Sequence, residues 1–357
     1  MTIEKIQELR KKIDEIDDKI IDLLNQRAKV VIEVGDIKKA EKLDFHSPNR
    51  EREILERLTS RNQGPFPQDT LKAVYREILS SSLSLERPLR IAYLGPRATF
   101  THMAGMQQFG LAAQYVPAES IKDVFGEVER GRVDYGVVPV ENSTEGVVNY
   151  TLDMFIDSDL KITAEIMLEV SQNLMNRSGK LEDIRKIYTH PQVPGQCRQW
   201  LEKNVAGIPI LDAPSTARAA EMAKDDPEVG AIASEMAAIL YSLQIVAKKI
   251  EDNPHNFTRF IVISRKPKGK TGRDKTSIMF SIKDKVGALH SMLTPFAEAG
   301  INLNRLDARP SGRQVWDYVF FLDMEGHIEE PKVAHAIEQL KKDCMFLKVL
   351  GSYPRSQ

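Results

Sequence analysis

Three stretches of this 357-residue chain deliver hydroxyl and amide side chains to the ends of apolar runs that read as buried strands. "VVPVENSTEG" closes on Glu141, Asn142, Ser143, Thr144 and Glu145. "LGPRATFTH" runs into Thr99 and Thr101, and "NPHNFTRF" sets Thr258 and Arg259 just before the apolar "FIVIS". In α/β domains ligands gather where strand ends meet helix starts, so the three clusters predict one shared cleft. Any one of these Ser or Thr residues could instead cap a helix. The coincidence of three favours the cleft. Glu141 and His190 are further candidates, for proton transfer or for a structural role.

A second constellation is cationic. Ile6, Leu9, Ile13, Ile16, Ile20, Leu23, Arg27, Val30, Val34 and Ile37 alternate by three and four, as on one seam of a supercoiled helix. Arg27 stands where an apolar residue belongs, and a buried guanidinium needs an anion. Lys38 lies about three turns on, roughly 16 Å away, and faces nearly the same way. Together they can hold a small anion, or pair with Glu or Asp of neighbouring helices. Arg10 is roughly 25 Å from Arg27 and can reach that site only from a second, antiparallel chain.

The elements that must carry these groups fall into three segments. From Thr2 to Glu86 there is almost no strand signal: one helix over 3–39, about 55 Å long, is followed by helices near 48–62 and 68–86. The two shorter helices cannot cover the long seam, which predicts a partner chain. The middle segment alternates strands ("IAYLG", "YGVVPVE", "DIRKIYTH") with helices ("IKDVFGEVERG", "GQCRQWLEKN", "TARAAEMAKDD"), an α/β pattern. "SRKPKGKTGRDKTS" (264–277) is basic and free of large apolar residues, as an exposed linker is. Residues 277–353 then read strand, helix, strand, strand, helix, strand, including "SIMFSIK" and "VWDYVFFLD", the order of a ferredoxin-like α+β sandwich.

Bulk properties narrow the class. Length predicts two or three domains. With 42% hydrophobic and 28% charged residues, and 50 basic against 51 acidic side chains, the chain shows no electrostatic case for nucleic acid or anionic membrane. The charged N-terminus lacks a signal-peptide core, and no apolar run is long enough to cross a bilayer. Cys197 and Cys344 form no CxxC or Cys/His cluster. A cytoplasmic protein without metal or cofactor is expected. Dinucleotide, P-loop and serine-hydrolase fingerprints are missing.

"LRKKIDEIDDKIIDLLNQRAKVVIEVGDIKK", "NREREILERL" and "SSSLSLE" resemble the all-helical chorismate mutases along the whole first segment. The resemblance implies an intertwined dimer in which Arg27 and the second chain's Arg10 clamp the carboxylates of chorismate. By the same resemblance Lys38 donates to the ether oxygen, Glu51 binds the ring hydroxyl with Arg50, and Ser82 touches a carboxylate. Ser47 stands where the family often has Asp. Glu86 stands where some members have Gln on the ether oxygen, and there it is expected to act as a protonated donor, with mutase activity falling as pH rises.

The three polar clusters, with "THPQVPGQCRQWL" and "GAIASEMAA", are similar to those of prephenate dehydratases from about Leu89 to Ser264. The resemblance implies two α/β lobes around a cleft, like a periplasmic binding protein. It makes Thr258 the essential residue, with Arg259 and Phe260 completing its motif. Thr99, Asn142, Ser143 and Thr144 would bind substrate. Ala98 replaces the family's usual Gly. The last segment resembles an ACT regulatory domain, and it implies a phenylalanine site involving Gly287, Ala288, Leu289, Asn302, Asp307, Arg309 and Pro310. His290, Asp307 and Ala308 depart from the family's GALV and ESRP.

The combined expectation is a multidomain enzyme of 1–88 (all-α mutase), 89–266 (two-lobed dehydratase) and 275–355 (ferredoxin-like ACT). Its substrates would be chorismate and prephenate, phenylalanine its effector, and its assembly a homodimer or higher homo-oligomer. The alternatives are a dehydratase whose helical segment serves only dimerisation, and a non-catalytic amino-acid sensor.

Overall fold

The seam of threes and fours becomes one uninterrupted helix, α1 (Thr2–Ala40), followed by α2 (Pro48–Arg61) and α3 (Gln68–Glu86). The computed structural model describes the chain apart from residues 1, 42, 44, 145, 283–285, 311–317 and 357, and apart from the side chains of residues 2, 48 and 49. Glu145, Lys283 and residues 315–317, which the sequence assigns to a polar cluster and to two strands, lie outside the described residues. The seam is solvent-exposed within the single chain: Ile13, Leu23 and Ile37 are 56%, 63% and 61% exposed.

The chain divides into two units. The helical unit runs through Leu89 and also takes in Phe109–Gln114. There Ser80 Oγ donates to the Phe109 carbonyl at 2.7 Å and Glu77 accepts from the Leu111 amide at 2.9 Å.

The second unit begins with β1 (Arg90–Leu94), α4 (Phe100–Phe109), β2 (Gln114–Ala118), α5 (Ile121–Glu129), β3 (Tyr135–Asn142), β4 (Gly146–Val147), α6 (Asn149–Asp157) and β5 (Lys161–Glu169). The chain then crosses into β6 (Asn173–Asn176), β7 (Lys186–Thr189), α7 (Val193–Gln196), α8 (Arg198–Asn204), β8 (Ile210–Asp212), α9 (Thr216–Ala223), β9 (Val229–Ala233), α10 (Glu235–Tyr241) and β10 (Gln244–Ala247). It returns through β11 (Phe257–Ser264). The first lobe is a sheet of order β2-β1-β3-β11-β5, with β4 on β3; the second is β10-β6-β9-β7-β8. The predicted helix over "GQCRQWLEKN" is broken at Cys197 into α7 and α8.

Because the chain passes twice between the lobes, the residues just before β11 sit at the crossing. β11 is inserted antiparallel between β3 and β5, and its register sets Thr258 opposite Asn142 and Arg259 opposite Glu141. This insertion, from a segment more than a hundred residues downstream of β3, is what joins two of the polar clusters.

β12 (Asp274–Ile282), α11 (Ala288–Glu298), β13 (Leu303–Pro310), β14 (Tyr318–Glu325), α12 (Pro331–Asp343) and β15 (Cys344–Pro354) form a sheet of order β13-β14-β12-β15. This sheet is not a separate body on a tether. Ile162, Ile261 and Ile263 of the first lobe share one apolar core with Met279, Val319, Phe321, Leu350 and Tyr353. The expected linker over 264–277 is correspondingly shorter. Asp274–Ser277 are buried in β12, and Lys275 is accommodated there because Glu165 of β5 meets its ammonium at 2.7 Å. A basic residue reads as exposed only until a carboxylate is found for it.

Candidate functional site

In the helical unit, α3 runs beside α1 and collects the cations. Arg27 donates to Ser82 Oγ, and Lys38 lies 3.3 Å from Glu86 while donating to the Phe45 carbonyl at 2.8 Å. Ser82 and Glu86 are four residues apart on α3 and so share a face, as Arg27 and Lys38 do on α1. Gly35 allows this closeness. A Cβ at that position would fall 2.8 Å from Glu86 Cγ. In sequence a glycine inside a helical heptad registers only as a weak helix former, so nothing local marks Gly35 for this role.

His46 lies 3.3 Å from Glu51, whereas Arg50 is exposed and pairs with Glu53 at 3.1 Å. Ser47 is the exposed N-cap of α2 and makes no side-chain cap bond. Arg10 is exposed on α1, seventeen residues before Arg27, and is not brought to this face within one chain.

In the lobed unit the structure joins Thr258 to Asn142. Asn142 Nδ2 donates to Thr258 Oγ1 at 2.8 Å and to Asn256 Oδ1 at 2.9 Å, while Asn142 Oδ1 accepts from the Thr144 amide at 2.9 Å. Thr144 Oγ1 lies 3.5 Å from Asn256 Oδ1. Ser143 works on the backbone: its hydroxyl accepts from the Phe257 amide at 2.9 Å and donates to the His255 carbonyl at 3.1 Å. It therefore fixes the turn that presents Thr258. Thr99 donates to the Leu94 carbonyl and accepts from the His102 amide at the start of α4, the capping role that the sequence left open for it. His190 likewise serves its own turn, accepting from the Gln192 amide through Nδ1.

Arg259 and Phe260 do not join Thr258. Successive side chains of a strand point to opposite faces, so Arg259 projects away from Asn142. It meets Glu165 at 2.9 Å, Asp323 at 2.7 Å and the Tyr353 hydroxyl at 3.0 Å. Burial works against its charge, but Tyr353, Asp323 and Glu165 together raise its pKa above the ordinary arginine value. Phe260 is 1% exposed and serves the core. Glu141 shares Arg259's face and lies 3.6 Å from Arg305, which removes it from the hydroxyl of Thr258 as a proton-transfer group. Glu141, Glu165, Arg259, Lys275, Arg305 and Asp323 line a cavity of about 400 Å³ behind the sheet.

Gln196 and Asn256 extend the network of Asn142 and Thr258 beyond the residues that the sequence marks. Asn256 is 2% exposed; it donates to Gln196 Oε1 at 3.1 Å, and Gln172 donates to the same oxygen at 3.2 Å. Both residues lie within quoted motifs, but nothing in local pattern marks a buried amide as part of a site.

The C-terminal sheet disperses its candidates. Gly287 has φ +79° at the start of α11, and Ala288 and Leu289 follow it. β13 runs opposite to α11, which brings Pro310 to the same end and leaves Asn302 at the other, where it donates to Glu325 at 3.3 Å. Asp307 lies 2.5 Å from Arg305, and Arg309 lies 2.8 Å from Asp153 of α6. Among the described residues no group of His, Cys, Asp and Glu is arranged to hold a metal ion, and no helix is long and apolar enough to cross a membrane.

Comparison with known proteins finds three family models in order along the chain. They are chorismate mutase type II over residues 9–87, prephenate dehydratase over 91–268 and the ACT domain over 276–342. A bifunctional chorismate mutase/prephenate dehydratase of Aquifex aeolicus is 51% identical over 358 residues, 99% of each chain. A prephenate dehydratase from Arthrobacter aurescens, solved in complex with L-Phe, superposes with TM-score 0.69 at 35% identity, over 75% of this chain and 90% of that one. A structure described as a quorum quenching acylase superposes with TM-score 0.67 at 29% identity, over 75% of this chain and 98% of that one.

Proposed function

The chain belongs to the bifunctional chorismate mutase/prephenate dehydratases, and from that premise we propose how its own residues perform the two reactions. Residues 1–88, 89–266 and 275–355 are taken as the mutase, dehydratase and regulatory parts.

The first reaction is a one-substrate [3,3] rearrangement, in which the ether C–O bond breaks as a new C–C bond forms. It needs no nucleophile and no net proton transfer. The protein holds the compact conformer and stabilises charge on the ether oxygen. Arg27 with Ser82 takes one carboxylate, and Lys38 with Glu86 faces the ether oxygen. Glu51 receives the ring hydroxyl. Arg10 comes from a second copy, whose α1 seam covers the exposed isoleucines of the first.

In the second reaction the bond to the ring carboxylate breaks and its electron pair enters the ring. The ring C–O bond breaks in the same event, so that carbon dioxide and hydroxide leave and an aromatic ring remains. The difficulty is the departure of hydroxide, which needs a donor. Thr258 Oγ1 accepts from Asn142 and so keeps its own hydrogen for the departing oxygen. This hydrogen bond is the observation that carries the dehydratase reading. The neighbour described as an acylase shares the fold of this unit, and fold alone does not transmit activity.

Phenylalanine is the proposed effector, bound at the end of the regulatory sheet that holds Gly287–Leu289 and Pro310, with Asn302, Asp307 and Arg309 contributed across a domain pair. A coupled assay tests the whole reading: chorismate is supplied and phenylpyruvate followed, with and without phenylalanine. Thr258→Ala is expected to abolish phenylpyruvate formation from prephenate and spare prephenate formation from chorismate. Retained dehydration overturns the role of Thr258. Calorimetry with phenylalanine that gives no heat, together with no inhibition, overturns the effector.

A further inference from the structure

We propose that Asn256 is a positioning residue for dehydration, acting through Asn142 to aim the hydroxyl of Thr258, and that it heads an amide chain linking the two lobes. The inference rests on the role of Thr258 argued above.

The polarity of the chain can be read from one backbone group. The Thr144 N–H can only donate, and it donates to Asn142 Oδ1. The Nδ2 of Asn142 must therefore face the other way, toward Asn256 Oδ1 at 2.9 Å and Thr258 Oγ1 at 2.8 Å. With Asn256 Oδ1 turned to Asn142, its Nδ2 must face Gln196, whose Oε1 accepts at 3.1 Å. Gln172 closes the chain on the same oxygen at 3.2 Å. Each amide orients the next, so the direction of every bond follows from the first.

Position in the fold explains why the chain matters. Asn142 ends β3 of the first lobe, Gln196 ends α7 of the second, and Asn256 lies in the returning segment between them. Asn256 is buried, so the geometry is held without competition from water. The two shortest Nδ2 bonds of Asn142 go to Asn256 and Thr258, with the Phe257 carbonyl farther off at 3.4 Å. Removing the Asn256 oxygen takes away the strong acceptor that holds one Nδ2 hydrogen, and leaves Nδ2 shared between Thr258 Oγ1 and the Phe257 carbonyl. Asn142 can then turn toward the Phe257 carbonyl and away from Thr258, whose own hydrogen is less firmly directed to substrate, and the loss falls on turnover more than on binding.

The test compares full-length Asn256→Ala, Asn256→Asp, Asn142→Ala, Thr258→Ala and the Asn142→Ala/Asn256→Ala double variant, with prephenate as substrate. Thermal unfolding of the lobed unit in the same samples reports on folding, and mutase turnover reports that the helical unit is unaffected. Asn256→Ala is expected to lower dehydratase kcat by about 10- to 100-fold, with KM within about threefold. Asn256→Asp keeps the oxygen that Asn142 needs and, buried and so protonated, donates to Gln196 Oε1 in place of the amide; it is expected to hold kcat within about fivefold of the parent. The double variant is expected to be no slower than Asn142→Ala, within about twofold, because Asn256 acts only through Asn142. Multiplicative losses in the double variant overturn the inference, as does a folded Asn256→Asp that falls as far as Asn256→Ala. If Asn256→Ala does not fold, Asn256→Asp decides alone: kcat within about fivefold supports the inference, and a larger loss in the folded variant overturns it. Retained dehydration in Thr258→Ala instead overturns the underlying role of Thr258.

Discussion

The guanidinium of Arg259 lies 2.7 Å from the carboxylate of Asp323, so the residue next to Thr258 is ion-paired to the C-terminal sheet. Burial pushes the Asp323 carboxyl up, but Arg259 and the hydroxyl of Ser277 outweigh it and hold its pKa below the ordinary value. Glu165 completes the cluster by taking both Arg259 and Lys275. Removing one partner from a buried pair strands the other's charge, which costs more than the pair itself contributes. Asp323→Ala is therefore expected to destabilise the lobed unit by about 3 kcal/mol, read from its urea midpoint. A midpoint within error of the parent's contradicts the ion-pair account.

Gly351 of β15 passes against the first lobe. A Cβ there would lie 2.1 Å from the Ile162 carbonyl oxygen, which is backbone and has no room to retreat. Gly351→Ala is expected to force β15 from β5 and destabilise the lobed unit by at least about 2 kcal/mol. Prephenate formation from chorismate should persist in the same sample, while phenylpyruvate formation and the unfolding midpoint of the lobed unit should drop.

Ala98 adopts φ +64° and is 1% exposed. The left-handed conformation costs about 1–2 kcal/mol in a residue with a Cβ. Its buried methyl returns about 0.8 kcal/mol, and glycine adds about 0.5–1 kcal/mol of unfolded-state freedom. These nearly cancel, so Ala98→Gly is expected to change stability by less than about 1 kcal/mol. Ala98→Val, β-branched at positive φ, should cost more than about 2 kcal/mol. Thermal unfolding of the pair checks the contrast.

His102 stacks on Tyr93, with ring centroids 4.5 Å apart, and its Nδ1 accepts from the Ala98 amide. Burial first, and Arg97 second, push its pKa down from 6.5 to about 4. Between those values the unfolded chain binds the proton at this residue and the folded chain does not, so the His102 contribution to stability falls as pH drops from 6.5 toward 4 and changes no further below it. The loss is at most about 3 kcal/mol. In urea titrations at stepped pH, His102→Gln should lack this slope.

The apolar seam of α1 is exposed in the single chain, so charging it costs that chain little. On the proposed shared site, in which Arg10 comes from a second copy, an Ile13→Glu/Ile20→Glu chain is expected to lose mutase turnover. Dehydration of supplied prephenate should be retained. Parallel assays with chorismate and prephenate separate the two, and unchanged mutase turnover counts against the shared site.

Short-range order was legible in the residues themselves. The threes and fours of α1, the clusters at the ends of β1 and β3, and the placement of Arg27 and Lys38 on one face all follow from the period of a helix or strand, which sequence spacing determines. Which groups meet across the chain does not follow from spacing. Thr258 finds Asn142 only because β11 inserts beside β3, and Asn256 finds Gln196 only where the lobes cross. Arg259 reads as part of the site because it adjoins Thr258, yet the alternation of a strand sends it to the other face. There, carboxylates 94 residues before it and 64 residues after it neutralise its charge. Lys275 reads as linker for the same reason: a charge can be buried wherever folding supplies its counter-charge, and that supply is a property of the tertiary structure.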